Sequence, residues 1–263
     1  MERALFAAAS GMAAQQRNLD TISENLANAG VVGFKGSAQT FAELVAPGEP
    51  GLGTVALGAR VLFAQGKLSR SAGPFDIAID GPGFFVLVDA HGRHLYTRDG
   101  QFSRAADGTL RNVRDARLAG VRVPADALSA TVASDGSVRA TFAGGARTIG
   151  HIRLAEFPAP ERLRAVDGAL FEATPEAGRA REVAPGANDG PKLRFGMLEE
   201  SNVTIIDAMM QILAAQRAYE ANAKGVQAAD EMLRIANNLH SSDLARNHRY
   251  NTMLAVALLP LIG

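Results

Sequence analysis

Apolar residues recur every seven positions at both ends of the chain. Near the C-terminus Ile205, Ile212, Tyr219, Val226 and Leu233 form one row, with Ala208, Ala215, Asn222, Ala229 and Ala236 three places after each. Near the N-terminus Leu5, Met12, Leu19 and Leu26 form another, with Ala8, Gln15 and Ile22 as its companions. A period of seven with an inner step of three puts each pair of rows on one helical face, the seam of a coiled coil. The run from Ser201 to Leu239 contains no proline, and Ser201 and Asn202 stand where side-chain oxygens can cap the first free N–H groups. Ordering a backbone costs about 1–2 kcal/mol per residue, so so few large apolar residues per turn call for a helical partner. The partner is predicted in this chain or in another copy of it. An ordinary helix pair layered on a domain has the same period. The polar Gln15, Gln216 and Asn222 favour a seam that fixes register, and Gly11 and Gly225 favour close backbone approach.

The pattern changes between the two ends. A turn is expected over Asn28 to Gly33, anchored by Phe34, before Phe41 and Leu44 resume an apolar pattern. Pro/Gly-rich links follow at Ala46 to Gly53 and at Ala184 to Pro191. Between them, Asp-Gly pairs at Asp80, Asp99, Asp107, Asp135 and Asp167 punctuate short β-branched and aromatic runs, the mark of hairpin turns. Strands are predicted at Phe84 to Val88, Leu95 to Thr97, Gly120 to Val123, Thr131 to Ala133, Val138 to Phe142 and Ile149 to Phe157. The expected fold is α+β: N- and C-terminal helices form a coiled-coil-like helical domain, with a central antiparallel all-β domain inserted between them. Its divisions are a helix and turn over 1–45, a linker over 46–60, the β domain over 61–190, the second helix over 191–239 and a tail over 240–263.

Composition narrows the function. Hydrophobic residues make up 47% of 263, enough for one or two real cores, and 27 basic residues balance 27 acidic ones. No net field favours nucleic acid or an anionic membrane surface. The absence of cysteine excludes disulfides and thiolate metal sites. The small apolar run Leu5 to Ala14 imitates a secretory signal, but Glu2 and Arg3 cancel and the seven-residue period continues through Leu26, so these residues are expected to stay. No run reaches the length of a membrane span; the apolar Met253 to Ile262 holds ten residues and reads as a frayed tail or a short packed segment.

Catalytic chemistry is weakly represented. His91 and His94 have no third ligand at metal-binding spacing and read as surface polar residues of a turn. Asp76 and Asp80 flank a strand, where turn chemistry accounts for them better than acid/base catalysis. Gly81-Pro82-Gly83 precedes a strand and lacks a phosphate-loop lysine. No cofactor and no enzymatic activity are expected.

Specific words accompany the periods. Ala8-Ala9-Ser10-Gly11-Met12, Gln15-Gln16, Leu19-Asp20, Asn25-Leu26-Ala27-Asn28 and Gly33-Phe34-Lys35 open the chain; Gly196, Leu198-Glu199, Ser201-Asn202-Val203, Met209, Gln216-Arg217-Ala218-Tyr219-Glu220, Asn222, Lys224 and Asp230 close it. Phe75 to Phe85 and Tyr96-Thr97-Arg98-Asp99-Gly100-Gln101-Phe102 mark the centre. With these words the chain resembles the flagellar basal-body rod and hook family of bacteria over residues 1–239, and its opening is most similar to the distal-rod members. It departs from the family pattern at Glu24, usually Asn, at Val31-Val32, usually a Thr-rich turn, in a shorter segment between Phe41 and Arg60, and in the tail.

The resemblance implies a structural subunit of the distal rod, exported by the flagellar type III apparatus without a cleaved signal and polymerised through its terminal helices into a shaft that carries torque. Partners would be copies of itself and other rod and hook proteins, with no nucleic acid and no membrane insertion. The assembly interface expected on the N-terminal helix and its turn is Leu5, Met12, Leu19, Ile22, Leu26, Asn28, Gly33 and Phe34. On the C-terminal side it is Ser201, Asn202, Ile205, Met209, Ile212, Gln216, Tyr219, Val226 and Leu233. A neighbouring rod member or the hook protein stays open, as does a β-domain adhesion module displayed on a coiled-coil oligomer.

Overall fold

The computed structural model describes residues 2–44, 51, 53–187 and 190–258. A helix opens the chain (α1, Glu2–Ala27), eighteen short strands follow among the described residues, and a 54-residue helix closes it (α2, Ile205–Leu258). The chain separates into two units, one of residues 1–19, 41–57 and 213–263, the other of residues 20–40 and 58–212.

In the larger unit a nine-stranded antiparallel sheet centres on Phe84–Val88. That strand pairs along one side with His94–Thr97 and divides its other side, Leu87 and Val88 facing Leu118 and Arg117 while Phe84 and Phe85 face Ala155 and Leu154. Side chains alternate across the sheet, so two cores form. Phe85, Leu87, Leu110, Ile152 and Leu154 fill one with Ile77 and Ile79; Phe84, Tyr96, Phe157 and Phe171 fill the other. Edge-to-face rings hold the second, with Tyr96 and Phe157 centroids 4.8 Å apart and Phe63 5.0 Å from Phe171. Ile77–Asp80 pairs with Lys192–Phe195 and Leu68–Arg70 with Met197–Glu199, so chain from both sides of the β region returns to one place.

In the smaller unit α1 lies against α2: a Cβ added at Gly11 would stand 2.9 Å from Asn222 Nδ2, and one at Gly225 would stand 3.8 Å from the Ala8 Cβ. Thr54 N–H donates to Ser10 Oγ at 3.1 Å, tying the strand Thr54–Val61 to α1.

Several expectations are corrected. Residues 54–60, expected as linker, belong to that strand, which pairs with Ser37–Glu43; Pro47, Gly48, Pro50 and Asp189 of the expected links lie outside the described residues. Helix α2 starts at Ile205, not Ser201, because Thr204 caps it: its Oγ1 accepts from Asp207 N–H at 3.1 Å and donates to the Asp207 carboxylate at 2.6 Å. Nor does it stop at Leu239; it continues to Leu258, and only Leu259 to Ile262 of the apolar tail lie outside the described residues. Asp107, Asp135 and Asp167 do precede hairpin glycines with φ of 82°, 82° and 55°. Asp80 and Asp99 do not turn hairpins. Asp80 ends a strand paired elsewhere and meets Arg194 at 2.8 Å, and Gly100 is small because Ile77 O lies against it, where a Cβ would collide. The predicted strand Ile149 to Phe157 is two, Gly145–His151 and Leu154–Glu156, because each half pairs with a different neighbour.

Candidate functional site

Three charged side chains meet in the larger unit. Lys35 follows the turn after α1, Arg98 follows His94–Thr97, and Glu199 ends Met197–Glu199. Lys35 Nζ lies 2.5 Å from Glu199 Oε1, and Arg98 Nε lies 3.2 Å from Glu199 Oε2; the side chains of Lys35 and Glu199 are wholly buried and that of Arg98 nearly so. One carboxylate faces two cations, and main-chain carbonyls meet the surplus positive charge. Lys35 donates to Ala64 O at 2.8 Å, and Arg98 donates to Gly83 O at 2.9 Å and Gly81 O at 2.8 Å. Gly66 N–H is a second donor to Glu199 Oε1, beside Lys35, at 2.8 Å. Burial pulls the Lys35 ammonium and the Arg98 guanidinium below their ordinary ranges, and Glu199 opposes both shifts.

Neighbouring amides extend this clasp. Asn202 accepts from Gly36 N–H at 2.8 Å and donates to Leu62 O at 2.7 Å, and Asn25 exchanges two hydrogen bonds with the Ser37 main chain at 2.7 and 2.8 Å. Gly33 N–H donates to Glu199 O at 2.7 Å. Gly33 itself has φ 67°, and a Cβ there would lie 2.3 Å from Asp99 N, so the turn can press onto the Arg98–Asp99 backbone only as glycine. The arrangement locks opening, central and closing segments together.

Beside the clasp lies a cleft of about 510 Å³. Glu24 and Asn28 of the N-terminal segment, Asp99, and the segments 112–114 and 165–171 line it. Val31, Val113 and Val166 are exposed there, Val113 by 80%. Arg114 is engaged by Asp167, and burial with Asp76 nearby pushes the Asp99 carboxyl up to about 6.

The residues expected at an assembly interface divide between these settings. Ile22 and Phe34 are buried, Gly33, Ser201 and Asn202 belong to the clasp or adjoin it, and Asn28 lines the cleft. Leu5, Met12, Leu19 and Leu26 are half-buried along α1, as are Ile212, Val226 and Leu233 along α2. Ile205, Met209, Gln216 and Tyr219 are exposed. Among the described side chains of α2, the small companions Ala208, Ala215 and Ala229 are the buried ones, and the row of large residues is only partly covered within the chain. The clasp ions themselves escaped the sequence reading, although Gly33-Phe34-Lys35, Tyr96-Thr97-Arg98 and Leu198-Glu199 each carry one charge that should pair.

Comparison with known proteins covers the same three segments. A family described as flagella basal body rod protein matches residues 5–35, one described as the flagellar hook protein FlgE/F/G D1 domain matches 78–140, and one described as the flagellar basal body rod FlgEFG protein C-terminal matches 195–239. The chain is 36% identical to the flagellar basal-body rod protein FlgG of Borreliella burgdorferi, over 91% of its own length and 99% of the relative's. It is 34% identical to FlgG of Caulobacter vibrioides, covering 91% and 100%, and 31% identical to FlgG of Bacillus subtilis, covering 91% and 99%.

Proposed function

Since the chain belongs to the flagellar basal-body rod protein family and is a structural subunit of the rod, we propose that it builds the distal rod, polymerising through its terminal helices into the shaft that carries torque to the hook. The observation that carries this reading is the outward surface of α2. Ile205, Ile206, Met209, Met210 and Leu213 are each more than half exposed, an apolar face that a free helix leaves in water and that neighbouring subunits would cover. This reading has α1 and α2 pack with those of neighbours as a coiled coil, and of the expected assembly residues Ile205 and Met209 lie on the exposed face. The exported chain keeps α1, because removal of its first residues would take Gly11 and Ala14 from the helix that meets α2.

The test is electron microscopy of basal bodies from cells lacking the gene and from cells given it back. Bodies that end below the hook, restored by the intact gene, support the distal-rod reading, and the break point locates the subunit. Complete rotating flagella without it would overturn the reading in favour of a β-domain adhesion module. Mass spectrometry of the chain from purified basal bodies tests retention of the N-terminal residues.

A further inference from the structure

The cleft beside the clasp has an unbalanced lining. Its two cations are already engaged, Lys35 by Glu199 and Arg114 by Asp167. Glu24 and Asp99 have no cation among the described residues; Asp99 Oδ1 accepts only from Gln101 N–H, at 2.9 Å. Exposed valines at 31, 113 and 166 stand around these carboxylates. Such a lining fits a cation carried on an apolar stem, or one flanked by apolar side chains.

The chain presents that pattern on α2. Ile206, Met210, Leu213 and Arg217 follow at steps of four, three and four, which places them along one helical face. The first three are well exposed, Ile206 by 73%, and Arg217 is exposed with no anionic partner among the described residues. This face is opposite to that of Ala208 and Ala215, which are buried, so contact within the chain does not use it. We propose that the cleft receives this face of α2 from a second copy of the chain, with Arg217 of that copy beside Glu24 and Asp99 and its apolar residues against the three valines. The contact joins two different surfaces, so each added copy leaves a free cleft and a free helix, and the assembly grows without closing on itself. Desolvation and Asp76 already disfavour the Asp99 carboxylate, and an arriving guanidinium relieves that strain. The proposal rests on the rod reading above and names its contact surfaces.

The absence of cysteine permits a direct test. The full chain carrying Glu24→Cys and Arg217→Cys is incorporated into rods and treated with a mild oxidant. A ladder of disulfide-linked dimers, trimers and longer species is expected, whereas each single variant gives none. A second measurement reverses the charges: Glu24→Arg and Arg217→Glu are each expected to lower rod assembly at least tenfold, and their combination to restore most of it. Rods that form with no ladder, together with a double reversal no better than the singles, would overturn this contact and leave the rod reading standing. Failure of the unmodified chain to enter rods would overturn both.

Discussion

The β region and the long helix bury opposite kinds of residue. In the larger unit the largest side chains are innermost, Phe85, Phe171, Ile77 and Leu87 among them, and even the charges of Lys35 and Glu199 are enclosed and paired. Along α2, among the described side chains, Ala208, Ala215 and Ala229 are buried while Ile205, Ile206, Met209, Met210, Met232 and Ile235 are exposed. A structure that encloses its large residues has gained most of its hydrophobic stabilisation within one chain; a helix that exposes them has that gain still to make. The contrast is between a region whose large side chains are already covered and a helix face whose large side chains are not.

The comparison is broken most severely at the clasp. Glu199→Ala leaves two buried cations facing carbonyls alone and is expected to cost about 3–5 kcal/mol in urea unfolding of the full chain, while Glu199→Gln, which keeps an acceptor for Gly66 N–H, costs less. If both variants unfold with the unmodified chain, the clasp contributes nothing to the fold. A matched pair of truncations sharpens the same contrast. Phe85→Ala should cost about 3–5 kcal/mol, while Ile206→Ala should fall within about 0.5 kcal/mol in the free chain and show its effect only in assembly. Equal losses in the free chain would mean that α2 is already covered.

Legibility followed the same division. Hairpins at Asp107, Asp135 and Asp167 and the central strand Phe84–Val88 could be read locally, because turn chemistry and alternation act within a few residues. The strand Leu68–Arg70 could not, and the strand between Asp76 and Asp80 could be read without its pairing, because the partners of both lie more than a hundred residues away. Asn202 looked like a helix cap because asparagine before a helical run usually is one; here its Oδ1, the atom a cap would use, accepts from Gly36 N–H, its amide N–H groups donate to Leu62 O and Ala64 O, and Thr204 caps the helix instead. The seven-residue period located both helices, but a period does not say which row faces inward. Gly11 held part of that information, since its missing side chain makes room for the Asn222 side chain of the opposite helix; at Gly225 the Ala8 Cβ would stand at an ordinary 3.8 Å, and no close backbone approach is seen at either.

Asp99 supplies a smaller effect with a definite sign. Its folded-state value, pushed up to about 6, lies above the 3.8 of an exposed aspartate. The folded form therefore holds its proton where the unfolded form has lost it, and stability falls as pH rises from about 4 to about 6 and stays lower above that. Asp99→Asn keeps an acceptor for Gln101 N–H and removes the titration. It should stabilise the free chain at pH 8 by about 2–3 kcal/mol, change little at pH 3.5, and weaken assembly if Arg217 of a neighbour docks there. Equal stabilisation at both pH values would show that the carboxyl does not titrate in this range.

The smallest effects test how the two helices meet. Replacing a glycine in a helix interior by alanine gains about 1 kcal/mol when nothing obstructs the new methyl group. At Gly225 that methyl would sit 3.8 Å from the Ala8 Cβ, an ordinary contact, so Gly225→Ala should stabilise the free chain by about 0.5–1 kcal/mol. At Gly11 it would sit 2.9 Å from Asn222 Nδ2, the tip of a side chain that can rotate away at some cost, so Gly11→Ala should gain less and come out near zero. Urea unfolding followed by circular dichroism at the helical band measures both. The order is the informative result: a Gly11→Ala gain equal to that of Gly225→Ala would mean that Asn222 does not press on α1 in the free chain, and that the smaller unit, like the outer face of α2, acquires its packing from neighbouring copies.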